Sequence, residues 1–372
     1  MKKINFWTYQ EDYSANKNQI LRAINTTLSK NEIFFGKTLL NFEKKFLKIN
    51  KSRYGLSVKS GTDALMLSLI CAGVKPGDEV ITVSFTAIPT VSAIVSIGAI
   101  PKFVDIKDDL LIDEKKIEEK ISRKTKAIIP VHLYGKTCNI DKIIKVAKKY
   151  KIKIIEDCAQ SFLAKFEKIN VGNYGDYGCY SFYPTKILGA YGDGGFIVCK
   201  KKNDLERLYK LRYYGIENFN KKKKFFNKYY SNIHGYNSRL DNVQASILNL
   251  KLKSIKKKIK LRLKLAKNYC LKLKIKKLFD PNHVYHLFVL KLNNRNKFIK
   301  FLNQNNIQVL IHYPTPLHKM KPYNKYVCKK CNCLKLTEKY SKKVVSLPIY
   351  PELKEKDQNK IISLIQKFNY IK

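Results

Sequence analysis

The sequence predicts an α/β protein, a mostly parallel sheet covered by helices and followed by a smaller α+β unit. Three observations predict it. Between residues 60 and 200, short apolar runs alternate with amphipathic segments, the pattern of strands joined by crossover helices of about 10 to 15 residues. After Leu240 the alternation gives way to one lysine-rich helical stretch reaching about Leu273. Two apolar runs of the first part also end on chemically useful residues, IIEDCAQS at 154–161 and SFYPTKILGAYGDGG at 181–195. Open α/β sheets hold their ligands there, beyond the carboxyl ends of strands.

Residues 13–29 and 34–49 carry the spacing of amphipathic helices. SGTDALMLSLICAG (60–73) opens a further helix that Ser60 or Thr62 can cap. KPGDEVITVSF turns into a buried strand at 80–83, and helical VSAIVSIG and a strand at 101–106 follow. KAIIPVHLYG (126–135) is a strand running into a loop, 140–150 a helix and 152–156 a strand. GCYSFYP and GGFIVCK (194–200) add two more strands, and 217–233, with its KKKKFF run, reads as an exposed loop. The second unit contains strand VYHLFVLKL, helix RNKFIKFLNQNN, strand IQVLIHY and a terminal helix from Glu355. The division falls near 250, giving a large domain over 1–250 and a small one over 251–372, a size that suits two domains.

Composition narrows the function. An apolar content of 45% is ordinary for a globular chain. No run approaches the roughly 18 apolar residues of a membrane span, and the first residues lack the apolar core of a signal peptide, so a cytoplasmic location is expected. The formal charge of +45 invites a nucleic-acid reading. The basic residues, however, are spread throughout and nearly all lysine, with only eight arginines, and no recognition motif is present. Nonspecific adhesion to polyanions at low salt is the expected consequence, without a specific nucleic-acid partner. Nine cysteines, an odd number, imply reduced thiols. Cys328, Cys331 and Cys333 in VCKKCNC are too few for a structural zinc site, and no metal is expected.

Lys186 opens a glycine-rich turn after an apolar run, and Asp157 ends another. An amine and a carboxylate facing one ligand suit pyridoxal phosphate, whose aldehyde needs an amine and whose ring nitrogen needs an acid partner. Glu156 is the weaker partner, because adjacent strand residues point to opposite faces. Gly61 and Thr62 at a helix start can hold the phosphate, with the Ser181 hydroxyl beside them, and Phe85, after strand 80–83, can stack on the ring. Among the six histidines, His132 ends a strand near this group, while His312 and His318 in IHYPTPLH suit contact with a polar substrate.

These segments resemble the DegT/DnrJ/EryC1/StrS family of sugar-nucleotide aminotransferases over nearly the whole chain. Its anchors appear in order: SGTDAL, PGDEVITVSFTA, IPVHLYG, IIEDCAQS, SFYPTKILGAYGDGG, GYNSRLDNVQA and IHYPTPLH. The resemblance implies a type I, aspartate aminotransferase-like fold and a homodimer with shared active sites, with pyridoxal phosphate cycling through pyridoxamine phosphate. It makes Lys186 the Schiff-base lysine and Asp157 the partner of the ring nitrogen, and puts Gln160 against the ring. Gly61, Thr62 and Ser181 become phosphate binders, Phe85 the stacking residue, and Asn237 the residue that reaches the other subunit's cofactor. Tyr183, His312, Tyr313 and His318 are the implied substrate contacts.

Members acting at C4 of the sugar typically read SFHxxKxxTTGEGG around the lysine. Tyr183, Pro184 and GDGG are instead similar to the branch acting at C3 of dTDP-3-keto-6-deoxyhexoses, although Ile187 and Gly195 depart from it. The implied reaction moves an amino group from L-glutamate to C3 of such a sugar, for surface glycan biosynthesis. Its alternatives are a C4 aminotransferase on a UDP-, GDP- or dTDP-linked sugar and a non-catalytic regulator on the same scaffold. Dehydratases of this scaffold carry histidine in place of Lys186.

Overall fold

The structure is a computed structural model that describes residues 3–216, 230–327 and 333–368. Helices α1 (Gln10–Leu28) and α2 (Lys37–Asn50) lead into β1 (Tyr54–Val58), α3 (Gly61–Cys71), β2 (Glu79–Val83), α4 (Ile88–Ser96) and β3 (Ile100–Val104). Next come β4 (Thr125–Ile128), α5 (Ile140–Tyr150), β5 (Lys153–Asp157) and a small hairpin, β6 (Lys165–Phe166) with β7 (Ile169–Asn170). Strands β8 (Tyr177–Ser181) and β9 (Gly195–Cys199) and helix α6 (Lys202–Leu211) complete the first part. The second part holds α7 (Asn242–Lys272), β10 (Phe288–Lys291), α8 (Arg295–Gln304), α9 (Lys335–Ser341), β11 (Val344–Leu347) and α10 (Glu355–Lys367).

Seven strands form one sheet in the order β1-β9-β8-β5-β4-β2-β3. Strands β8, β5, β4, β2 and β3 pair in parallel, and β9 runs against both of its neighbours. The parallel strands are short and apolar because helices cover both faces. On one side Leu56, Leu67, Ile94 and Leu208 share a core, and on the other Phe42, Phe46, Phe196 and Leu248 do. Ser60 caps α3, its Oγ accepting from the Asp63 amide at 3.0 Å.

Helix α7 passes through position 250 without interruption. Its first half contributes Leu248, Leu252 and Ile255 to the large-domain core. Its second half contributes Leu265, Tyr269 and Cys270 to the C-terminal core, beside Phe288, Phe298 and Val345. Ile4 and Trp7 join that same C-terminal core from the start of the chain, and Ile4 bridges Ile307.

Several expectations are corrected. Segment 307–313 does not form a strand. Among the described residues it makes isolated bridges only, Ile307 to Ile4 and Leu310 to Ser346, and Pro314 and Pro316 beyond it cannot donate to a ladder. The strand expected over 284–292 is confined to Phe288–Lys291, because the amides of Val284 and Leu287 turn to the carbonyls of Gly135 and Tyr134. β1, α6 and β11 lie where no element is expected from the sequence. Of the loop expected at 217–233, residues 217–229 lie outside the described residues, as do Cys328 and Cys331.

Candidate active site

Strand β8 ends on Ser181, and the loop behind it is folded tightly. Phe182 donates to the Gly194 carbonyl and accepts from the Ala190 amide, both at 2.7 Å. A Cβ on Gly189 would lie 2.3 Å from the Pro184 carbonyl oxygen, so the loop closes only with glycine there. Lys186 is held inside this loop by its amide, which donates to the Tyr183 carbonyl at 2.8 Å. Desolvation lowers its ammonium pKa to about 8, against the pull of Asp157. The side chain is thereby moved toward the free amine.

Asp157 is buried at the end of β5. Its Oδ2 accepts from Thr90 Oγ1 at 2.8 Å and its Oδ1 from the Ala159 amide at 3.1 Å. Thr90 Oγ1 also meets Thr86 Oγ1 at 3.0 Å. Burial raises the Asp157 carboxyl above its usual range, opposed by the Ala159 and Thr90 hydrogen bonds and by the charge of Lys186. A protonated ring nitrogen beside it would supply the missing countercharge.

The neighbouring Glu156 serves the opposite face. It accepts from the amides of Gly172, Tyr174 and Gly175 at 2.8, 2.8 and 2.6 Å and meets His132 Nε2 at 2.9 Å. His132 Nδ1 faces the Cys138 amide at 3.0 Å. An amide can only donate, so Nδ1 is the acceptor and the ring is the neutral Nε2–H tautomer. His132, Glu156 and Cys158 are the one described group with metal-ligand atoms close together. Those hydrogen bonds already occupy the His132 ring and the Glu156 carboxylate.

The expected phosphate binders converge. A Cβ on Gly61 would lie 2.7 Å from Ser181 Cβ and 3.2 Å from its Oγ, so the start of α3, with Thr62, lies against the end of β8. An anion there would meet free α3 amides and a hydroxyl. Gln160 is buried with its Oε1 accepting from the Tyr134 amide at 2.7 Å and its Nε2 donating to Tyr313 Oη at 2.9 Å. Tyr134 Oη in turn donates to the His312 carbonyl, and His312 Nδ1 meets Ser346 Oγ at 2.9 Å. Gln160, Tyr313 and His312 are thus joined in one network.

The other candidates are placed differently. Phe85 is fully buried in the core with Val83, Val131 and Tyr134. His318 has both ring nitrogens engaged, Nδ1 with Ser84 Oγ at 2.7 Å and Nε2 with Glu338 at 3.1 Å, which leaves no ring nitrogen for a substrate. Tyr183 is 53% exposed. Asn237 is exposed, and its Oδ1 accepts from Arg239 Nε at 3.1 Å. Thr90 and Tyr134, which hold Asp157 and Gln160, escaped the reading of the sequence. Tyr134 at least lies inside the IPVHLYG anchor.

A desolvated amine, a buried carboxylate in want of a cation and a glycine–serine cradle at a helix start fit pyridoxal phosphate, which these residues would hold. Comparison with known proteins agrees. The DegT/DnrJ/EryC1/StrS aminotransferase family profile matches residues 14–366. The chain is 35% identical over 368 residues to a "Pleiotropic regulatory protein" of Geobacillus stearothermophilus, covering 96% of each. It is 37% identical over 359 residues to the dTDP-3-amino-3,6-dideoxy-alpha-D-galactopyranose transaminase of Aneurinibacillus thermoaerophilus, covering 95% of this chain and 96% of that one. Its fold is similar to the crystal structure of S. venezuelae DesV in complex with a ketimine intermediate, with a TM-score of 0.92 and 30% identity over 99% of both chains. The chain belongs to the DegT/DnrJ/EryC1/StrS aminotransferase family and is a pyridoxal phosphate-dependent aminotransferase.

Proposed function

We propose that this enzyme transfers the amino group of L-glutamate to C3 of a dTDP-3-keto-6-deoxyhexose, in the cytoplasm, supplying a dTDP-3-amino-3,6-dideoxyhexose for a surface glycan. At the family level it is a sugar aminotransferase acting on nucleotide sugars. The observation that carries the choice of C3 is Tyr183, 53% exposed in the loop of Lys186, where C4 members present histidine. The name of the Aneurinibacillus relative, a 3-amino-3,6-dideoxyhexose transaminase, supports it. The Geobacillus relative is named as a regulator, but Lys186 and Asp157 are both present here, and a regulator has no need of a desolvated amine.

Bound pyridoxal phosphate supplies an aldehyde for the amino group and a ring that takes up the electrons left when a proton departs. The chain supplies the proton movements. Lys186 Nζ takes the proton from Cα of L-glutamate in the first half of the cycle and delivers one to C3 of the sugar in the second. Its pKa of about 8 puts both protonation states within reach near neutral pH. Asp157, oriented by Thr90, keeps a proton on the ring nitrogen. The amides of α3 and the Ser181 hydroxyl anchor the phosphate. L-glutamate leaves as 2-oxoglutarate, and the sugar ketone becomes an amine. The active unit in this reading is a homodimer in which Asn237 reaches the partner's cofactor, as its exposed position allows.

The test is an assay with L-glutamate against 3-keto and 4-keto sugar nucleotides, with the product read by NMR. Nitrogen at C3 of the dTDP sugar is expected. Nitrogen at C4, with none at C3, would overturn the position of transfer while leaving the aminotransferase intact.

A further inference from the structure

A cavity borders the lysine loop at Thr185. It has a volume of about 230 Å³ and is lined by Phe6, Trp7, Thr185, Arg262, His286 and His312, among others. Arg262 also lines a smaller cavity together with Lys186, so this one residue borders both. It is 4% exposed. All its hydrogen bonds leave from Nη1, to the carbonyls of Tyr285, His286 and Ile349 at 3.0, 3.4 and 2.8 Å. Nε and Nη2 have no hydrogen-bond acceptor among the described residues, and no carboxylate forms a salt bridge with Arg262 there. Beside it, buried His286 has no partner for Nδ1. A buried guanidinium is unfavourable unless an anion or further acceptors meet it. Neither cavity lining contains an acidic side chain close enough to pair with it; Glu352, in the smaller one, acts on it only through its field.

We propose that this cavity holds the distal carboxylate of the amino donor, with Arg262 as its main ligand and His286 as a second donor. The proposal rests on the reading of L-glutamate as donor and names the subsite that selects it. The carboxylate next to the reacting carbon must lie beside Lys186. The cavity of Arg262 and His286 does not include Lys186 in its lining, so it suits a group a few carbons further on. Its size admits a small dicarboxylate and excludes a nucleoside diphosphate. The two substrates would then be told apart by depth, the donor reaching past Lys186 into this cavity and the sugar nucleotide bringing C3 to Lys186 without entering it.

The two substrates react in separate half-cycles, so kcat/KM for each reports its own half. In His286→Leu, which leaves no side-chain hydrogen bond broken, and in Arg262→Lys, which keeps the charge, kcat/KM for L-glutamate should fall about ten- to hundredfold. That is the weight of a hydrogen bond to a charged group. The value for the keto sugar should stay within about twofold. Calorimetric titration of the holoenzyme with glutarate, which cannot react, should show binding weakened in the same proportion. Equal losses on both substrates in His286→Leu, or glutarate binding unaffected by either substitution, would overturn the site. If the wild-type enzyme accepts L-glutamine and refuses L-glutamate while glutarate binding still depends on Arg262 and His286, the donor reading fails and the carboxylate site stands.

Discussion

Removing an ammonium from water is unfavourable, and Lys186 carries that cost in the folded chain. Its pKa of about 8 lies below the 10.5 of a free lysine. Below pH 8 the folded apoenzyme therefore holds a charge it disfavours. Between about 8 and 10.5 the unfolded chain binds the extra proton, so stability rises with pH. Lys186→Met should abolish turnover yet make the apoenzyme more stable at pH 7, by up to about 3 kcal/mol. That advantage should shrink as the pH is raised above 8 in urea unfolding curves. The same shift sets the kinetics of cofactor capture. The absorbance-monitored rate at which apoenzyme takes up pyridoxal phosphate should climb with pH and level off above about 8. Thr90→Val removes the hydroxyl that holds Asp157 Oδ2 and should cut kcat about tenfold, with a stability loss of about 1 kcal/mol in the same unfolding assay. Lys186 and Asp157 were legible in the sequence because each sits in a local pattern, a glycine-rich loop and an acidic strand end. Thr90 was not, since its partner lies 67 residues away. The hydrogen bond of His318 to Ser84 is equally invisible in the sequence, the two lying 234 residues apart.

At the scale of elements, β5 does two jobs by its pleat. Asp157 faces the lysine loop, while Glu156 gathers the turn at 172–175 and fixes His132. Glu156→Gln sets an amide group against three backbone donors and should cost about 2 to 4 kcal/mol in urea unfolding. Helix α3 begins where Gly61 meets Ser181. Gly61→Ala would put a carbon 2.7 Å from Ser181 Cβ and push the helix start from the strand end. Pyridoxal phosphate should then be lost more readily on dialysis, with the far-ultraviolet circular dichroism little changed. Strongly periodic elements such as α5 were plain in the sequence. Segment 307–313 reads equally like a strand, being mostly apolar, but a strand needs a continuous partner, and only Ile307 and Leu310 find one, each a different one. β1 was overlooked because YGLSV is short and follows a helix closely, and its role comes from pairing with β9 far along the chain.

For the whole molecule, the sharing of sites between subunits can be tested by mixing two inactive variants. Lys186→Ala and Asn237→Ala, exchanged into mixed dimers, should regain activity, because one site of each mixed pair has its own lysine and the partner's intact asparagine. No recovery after proven subunit exchange would count against sharing. The large and small units were visible in the sequence from the change of pattern after Leu240. The return of the first residues to the C-terminal core was not, because nothing local in residues 4–7 announces a partner some 300 positions away. That return has a consequence for synthesis on the ribosome. Ile4 and Trp7 emerge well before the core that receives them, which is built from α7, β10, α8 and β11. At typical elongation rates they wait on the order of tens of seconds for it. Until then they remain apolar and unpaired in the crowded cell, and it is the later-made helices and strands of the C-terminal core that finally secure them.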